Sequence, residues 1–262
     1  MSAESKGYEE LAPPASMAEA VDAFWRFTAP PRIPGALSQR HRIMPDGCTD
    51  LILHYRVGVS PGAELTDPRL VVVGPMERYV LVDIEPGTAS LGVRFRPGWA
   101  LPLLGVSPRE LCGLSVSVED CTPALALLQR KLEARASPGA AFALLQDFVS
   151  RRLAAVRTAS GPRAAQALRW LQSSGGQVRV STLARTLGMS ERTLHRAVLD
   201  EAGVPPKLLA RVLRFQRALT LLRSGAGADL SDVALACGYA DQAHLSREVR
   251  DLAGLTPTAL LG

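Results

Sequence analysis

Long hydrophobic runs are missing from this 262-residue chain: no apolar stretch approaches the roughly 20 residues that a membrane-crossing helix needs. Cysteine is scarce as well. Cys48, Cys112, Cys121 and Cys237 lie at irregular intervals without a C-x-x-C pair, which excludes a disulfide framework or a zinc finger. The opening MSAESKGYEE has no basic segment followed by an apolar core, so no secretory leader is expected and the cytoplasm is the expected location. Lysine is nearly absent, with Lys6, Lys131 and Lys207 the three among 30 basic residues; arginine bias of this kind carries no mechanistic weight. What remains is an ordinary globular balance, 47% hydrophobic and 21% charged, long enough for two domains with real cores.

The net charge of +5 is unevenly placed. Residues 1–160 hold 17 basic and 17 acidic residues, whereas residues 161–262 hold 13 and 8. Such asymmetry suggests a polyanion-binding module joined to a neutral one. It raises the question of nucleic acid without answering it.

Texture divides the chain further. A short helical pattern around Met17–Phe27 is bracketed by Pro13, Pro14, Pro30, Pro31 and Pro34. Runs rich in β-branched residues follow at Thr49–Tyr55, Leu70–Val73, Tyr79–Ile84 and Ser90–Phe95, separated by Pro, Gly and Asp turn signals. They predict a small antiparallel sheet, sandwich or partial barrel. Pro123–Ala136 and Ala140–Val156 carry apolar residues at helical spacing, with Pro138 suited to a first helical turn. Thr158–Pro162 reads as a linker, and everything beyond it as helical. The expected architecture is α+β: a β-rich sensor or dimerisation domain over 1–120, a helical pair and linker over 121–160, and an all-α domain over 161–262.

The last hundred residues contain an internal echo. Ser181, Ala184 and Gly188 return fifty positions later as Ser231, Ala234 and Gly238; Leu194, Arg196, Val198, Gly203 and Pro206 return at an offset of fifty-one as Leu245, Arg247, Val249, Gly254 and Pro257. Each copy, 181–203 and 231–254, reads as a short helix opened by Ser181 or Ser231 and a turn at Gly188 or Gly238. A second cap follows at Ser190 or Asp241, then a helix ending at Gly203 or Gly254. Two helices joined by a Gly-containing turn make a helix-turn-helix, whose second helix enters the major groove with its N-terminal residues at base edges. Leu194 and Val198 face inward in the first copy, leaving Arg192, His195 and Arg196 outward. Leu245, Val249 and Leu252 face inward in the second, leaving Gln242, Ala243, Ser246 and Arg250 outward. Arginine pairs with guanine and glutamine with adenine; the plainer role for Arg196 and Arg247 is a structural ion pair, for Arg247 with Asp232. Between the copies Pro206–Ser224 predicts a helix of about 28 Å, close to the roughly 34 Å between successive major grooves.

The segment Val180–Pro257, with LARTLGMSERTLHRAV and LSDVALACGYADQAHLSREVRDLAGLTP, resembles the DNA-binding domain of AraC/XylS-type transcriptional regulators. The resemblance implies base-reading positions at Arg192, His195, Arg196, Gln242, Ala243 and Ser246, with Arg247 at a backbone contact or buried pair; Thr193 and Arg250 complete the expected DNA-binding set. It departs from the family where Val198 and Val249 replace the usual Phe, and where Glu191 and Asp241 would repel phosphate unless they cap their helices. RIMPDGCTDLILHY, VVVGP and GVRFRPG resemble a small β-rich domain found fused to such modules, implying sensing, dimerisation or both. No H-x-H with a following Glu occurs, so a metal-binding cupin is not expected. For Asp46, Asp50 and Arg94 the expected role is turn stabilisation and a structural ion pair.

The function these readings converge on is sequence-specific transcriptional regulation through a double-stranded DNA operator. RNA polymerase, a small-molecule effector and a second copy of the chain are candidate partners; no cofactor, metal or membrane is expected. Two alternatives stand beside it. One is an alkyl-acceptor enzyme using Cys48 as nucleophile, near His41, Arg42 and His54, although the residue also suits a turn–strand junction. The other is an adaptor that never touches DNA. The chain is expected not to be an enzyme.

Overall fold

The computed structural model describes residues 7–30, 39–56, 64–134, 137–156, 162–224 and 229–260. Among the described residues eight strands precede most of the helices: β1 (Tyr8–Leu11), β2 (Val21–Thr28), β3 (Gln39–Ile43), β4 (Thr49–Arg56), β5 (Thr66–Val73), β6 (Val80–Ile84), β7 (Thr88–Phe95) and β8 (Ser115–Ser117). Six of them form one antiparallel sheet in the order β1-β2-β7-β4-β5-β8, while β3 and β6 pair separately. The expected strands over 49–55, 70–73, 79–84 and 90–95 are all present, each within a few residues of its predicted limits.

Met17–Phe27 is not a helix. Residues 15–20 form turns, and β2 pairs along its length with β7 and with β1. Met17, Val21 and Phe24 sit at helical spacing, but the strand has partners on both sides and puts Phe24 and Trp25 on opposite faces. Phe24 enters the core, edge-on to Phe142 with ring centroids 5.5 Å apart. Trp25 lies over Gly92, its cross-strand partner, where an added Cβ would sit 2.0 Å from the indole. Ladder hydrogen bonds and burial on both faces outweigh a local periodicity.

Helix α1 (Ala100–Leu104) precedes β8; α2 (Pro123–Glu133) and α3 (Pro138–Ala155) follow it. Pro138 sits in the first turn of α3, as expected, and Ser137 caps it, its Oγ accepting the Ala140 N–H. Leu125, Leu128 and Leu132 of α2, with Ala141, Leu145 and Val149 of α3, share one core with Leu51, Leu53, Val72, Val93 and Phe95 of the sheet. The helical pair covers the sheet. The expected linker at 158–162 lies outside the described residues except for Pro162, which opens α4 (Pro162–Ser173).

The remaining helices are α5 (Val180–Thr186), α6 (Glu191–Ala202), α7 (Pro206–Arg223), α8 (Leu230–Ala236) and α9 (Gln242–Ala253). They build two cores. One gathers Leu168 and Leu171 of α4, Leu183 and Leu187, and Leu194 and Val198 of α6; the other gathers Phe215 and Leu219 of α7, Val233, Tyr239, Leu245 and Val249. α7 contributes to both.

Candidate nucleic-acid interface

The two helix pairs, α5–α6 and α8–α9, are built alike. Ser190 Oγ accepts the Thr193 N–H at 3.1 Å, and Asp241 Oδ1 accepts the His244 N–H at 2.6 Å, so each second helix starts on a side-chain cap. Asp241 is thereby engaged as a cap. Glu191, in the first turn of α6, meets the positive end of the helix dipole. Each second helix ends on a left-handed glycine, Gly203 at φ 76° and Gly254 at φ 69°. Gly188 and Gly238, at φ 61° and 75°, make the two turns.

The first helices depart from expectation. α5 begins at Val180 behind Arg179 without a side-chain cap, and Asp229, not Ser231, caps α8 through the Ser231 N–H at 3.5 Å. Ser181 and Ser231 lie inside the first turn, where their own N–H groups belong to the helix end and need a partner one or two residues upstream. Ser231 Oγ instead lies 3.5 Å from Gln242 Oε1, across to the second helix.

Leu194, Val198, Leu245 and Val249 are fully buried, each worth about 1.5–3 kcal/mol on the transfer scale, and they turn the opposite face of each second helix outward. Arg192, Thr193, His195, Arg196, Gln242, Ala243, Arg247 and Arg250 are exposed, and Ser246 is half-buried. Among the described residues no carboxylate lies within 4 Å of Arg192, Arg196, Arg247 or Arg250. The pair suggested between Arg247 and Asp232 does not form. Thr193 Oγ1 is 2.8 Å from Ser190 Oγ and belongs to the cap. His244 is drawn back as well: its Nδ1 accepts the Ala240 N–H at 3.4 Å, and its ring stands edge-on to Tyr239. Arg211 of α7 pairs with Glu248 at 2.9 Å and so ties the connecting helix to α9.

A separate charged cluster lies in the β domain. Arg94 Nε is 2.9 Å from Asp46 and 3.6 Å from Asp50, while the Trp25 indole donates to Asp50 Oδ1 at 2.7 Å. Asp46 Oδ1 also accepts the Cys48 N–H at 2.9 Å. These are the turn and ion-pair roles expected of Asp46, Asp50 and Arg94. Burial pushes the Cys48 thiol well above its ordinary range, and the neighbouring Asp46 adds to the effect. A thiolate nucleophile needs the opposite surroundings; the buried thiol fits the turn–strand junction. Among the described residues no cluster of His, Cys, Asp and Glu is arranged to hold a metal ion. No helix among them is long and apolar enough to cross a membrane.

Contacts between the two domains carried no signal in the sequence. Arg42, Tyr79, Pro75, Pro108 and Arg109 all touch the C-terminal helices. Nothing local marks a residue whose partner lies so far along the chain.

Comparison with known proteins places residues 183–262 in a family described as a helix-turn-helix domain and residues 9–117 in a domain of unknown function, DUF6597. The HTH-type transcriptional activator RhaS of Escherichia coli O139:H28 is 35% identical over 80 residues, which are 30% of this chain and 28% of that protein. The match thus spans under a third of the curated relative's length. Among solved structures, the C-terminal domain of AraT, a response regulator from Geobacillus stearothermophilus, is 23% identical. It covers 39% of this chain and 86% of that one at a TM-score of 0.37. ToxT from Vibrio cholerae is 12% identical and covers 97% and 98% at a TM-score of 0.45. Residues 183–262, with their capped helix pairs and the G-Y-x-D-Q-x-H-L-x-R signature, are an AraC-type helix-turn-helix domain.

Proposed function

We propose that the chain is a sequence-specific transcriptional regulator that reads two successive major grooves of an operator with α6 and α9. The observation that carries this is the repeated construction itself: two capped helices, each pinned inward by a Leu–Val pair, each turning arginines or a glutamine to solvent. Arg192, Thr193, His195 and Arg196 from α6, with Gln242, Ala243, Ser246, Arg247 and Arg250 from α9, form the contact set. Arg192, Arg196 and Gln242 supply direct base readout, since a bidentate pair discriminates by about 1–3 kcal/mol. Thr193 acts mainly through its cap, and Arg247 and Arg250 suit phosphates.

The division of labour follows the charge. Residues 161–262 serve as the DNA-binding domain, 1–120 as a sensor or dimerisation domain, and 121–160 as the helical cover that joins them. A small-molecule effector, a second copy of the chain and RNA polymerase are the partners such a cytoplasmic regulator would use. Selection of duplexes from a random-sequence pool by the full chain, followed by gel shifts over a salt series, tests the proposal. Recovery of a two-box site whose affinity falls steeply with salt is the expected result. Binding indifferent to both sequence and salt overturns it.

A further inference from the structure

The two reading helices end on the same short loop of the β domain. This loop, residues 74–79, runs from β5 to β6 and is anchored by the Gly74 N–H to Leu114 O and by Pro75 O from the Gly113 N–H, each at 2.9 Å. At its start, Pro75 lies against the end of α6: a Cβ added to Gly203 would stand 2.7 Å from Pro75 Cγ and 2.4 Å from Pro108 O. Arg109, one residue on, pairs with Asp200 in the last turn of α6 at 2.9 Å. At the other end of the loop, the Tyr79 N–H donates to Leu252 O at 2.8 Å, and a Cβ at Gly254 would stand 2.3 Å from the Tyr79 ring. Arg42 completes the grip. Its guanidinium donates to Ala253 O at 2.8 Å and lies 4.2 Å from the centroid of the Tyr79 ring.

Carbonyls at a helix C-terminus lack partners within the helix and carry the negative end of its dipole. Leu252 and Ala253 thus receive a backbone donor and a cation from outside their own domain. Each helix-turn-helix core also takes in a β-domain side chain, Cys112 in the first and Met44 in the second. On α7, between the two units, Gln216 donates to Pro45 O at 2.6 Å. The gripped points are equivalent in the repeat, Gly203 and Gly254 at the fifty-one-residue offset, and are held from positions only four residues apart.

We infer that the Gly74–Tyr79 loop, with Arg42 and Arg109, sets the relative pose of α6 and α9 and thereby the base-pair separation at which the two boxes of an operator must lie. Pro75, Tyr79, Arg42 and Arg109 are positioning residues: they touch no DNA and act through the ends of the helices that do. The inference rests on paired reading as proposed above.

The test uses the full chain, a duplex recovered from the random pool, and the same duplex with one base pair added or removed between its boxes. One step rotates the second box by about a tenth of a turn. The unaltered protein is expected to lose about tenfold in affinity, the scale of a mismatched contact. A chain carrying Arg42→Ala and Tyr79→Ala is expected to lose less than about threefold and to tolerate either spacing. An undiminished penalty overturns the inference, as does a uniform loss on all three duplexes, which marks a merely supporting role. Should the double variant melt below the assay temperature, Arg109→Ala provides the same readout from an exposed pair at α6. Recovery of a single box by the unaltered chain would instead refute paired reading itself.

Discussion

The Tyr79 ring rests on Gly254, the residue that ends α9, so closely that no side chain fits between them. Gly254→Ala meets two penalties, left-handed backbone at φ 69° and a Cβ 2.3 Å from the ring. Together they predict a loss of about 2–4 kcal/mol in denaturant unfolding. Gly87→Ala supplies the comparison. It shares a positive φ of 80° but has nothing within 4 Å, so about 1–2 kcal/mol is expected there. Equal losses at the two sites would deny the contact any weight.

Arg192→Ala and Gln242→Ala alter exposed side chains, so thermal melting is expected to stay within about 0.5 kcal/mol of the parent. Operator affinity is expected to fall by about 1–3 kcal/mol for each, with relaxed preference at one base position. Gel shifts on the recovered duplex and its single-base variants measure both effects. Unchanged affinity in both variants would favour an adaptor that never meets DNA.

Thiol chemistry separates the regulator from an alkyl acceptor. Cys48 and Cys237 are buried, and Cys112 and Cys121 are half-exposed. Ellman's reagent is therefore expected to modify Cys112 and Cys121 in the native protein and the other two only after unfolding. Fast native reaction at Cys48 would reopen the enzymatic alternative.

Acid dependence follows from Asp50. Burial pushes its carboxyl up to about 6, against the opposing pull of Arg94. An unfolded carboxyl titrates near about 3.9, so between about pH 4 and 6 the native state holds a proton that the unfolded chain has released. Stability from this group therefore declines as pH rises through that window, by at most about 1.4 kcal/mol per pH unit. Asp50→Asn keeps an acceptor for the Trp25 indole and is expected to flatten the decline. Urea unfolding at a series of pH values measures it. The same slope in both proteins would assign it to other groups.

The residues at positions 180–257 were readable in order because their structure is local. A cap needs an N–H two or three residues ahead, a left-handed turn needs glycine where it occurs, and a buried stripe repeats every three or four positions. Ser190, Gly203, Asp241 and Gly254 all stand where those short-range demands put them. Even there, Asp229 displaced Ser231 as a cap, since helix ends are less sharply specified than helix interiors. The β domain was readable only in part. Strict apolar–polar alternation is absent from Val21–Thr28, whose apolar spacing imitates a helix; pairing with β7, some seventy positions later, made it a strand. The amino-acid order by itself determined the two second helices, their exposed polar faces and their caps. Only the tertiary structure brought Pro75 to Gly203 and Tyr79 to Gly254, because contacts between distant segments depend on how whole surfaces fit, and no periodicity in either segment records the other.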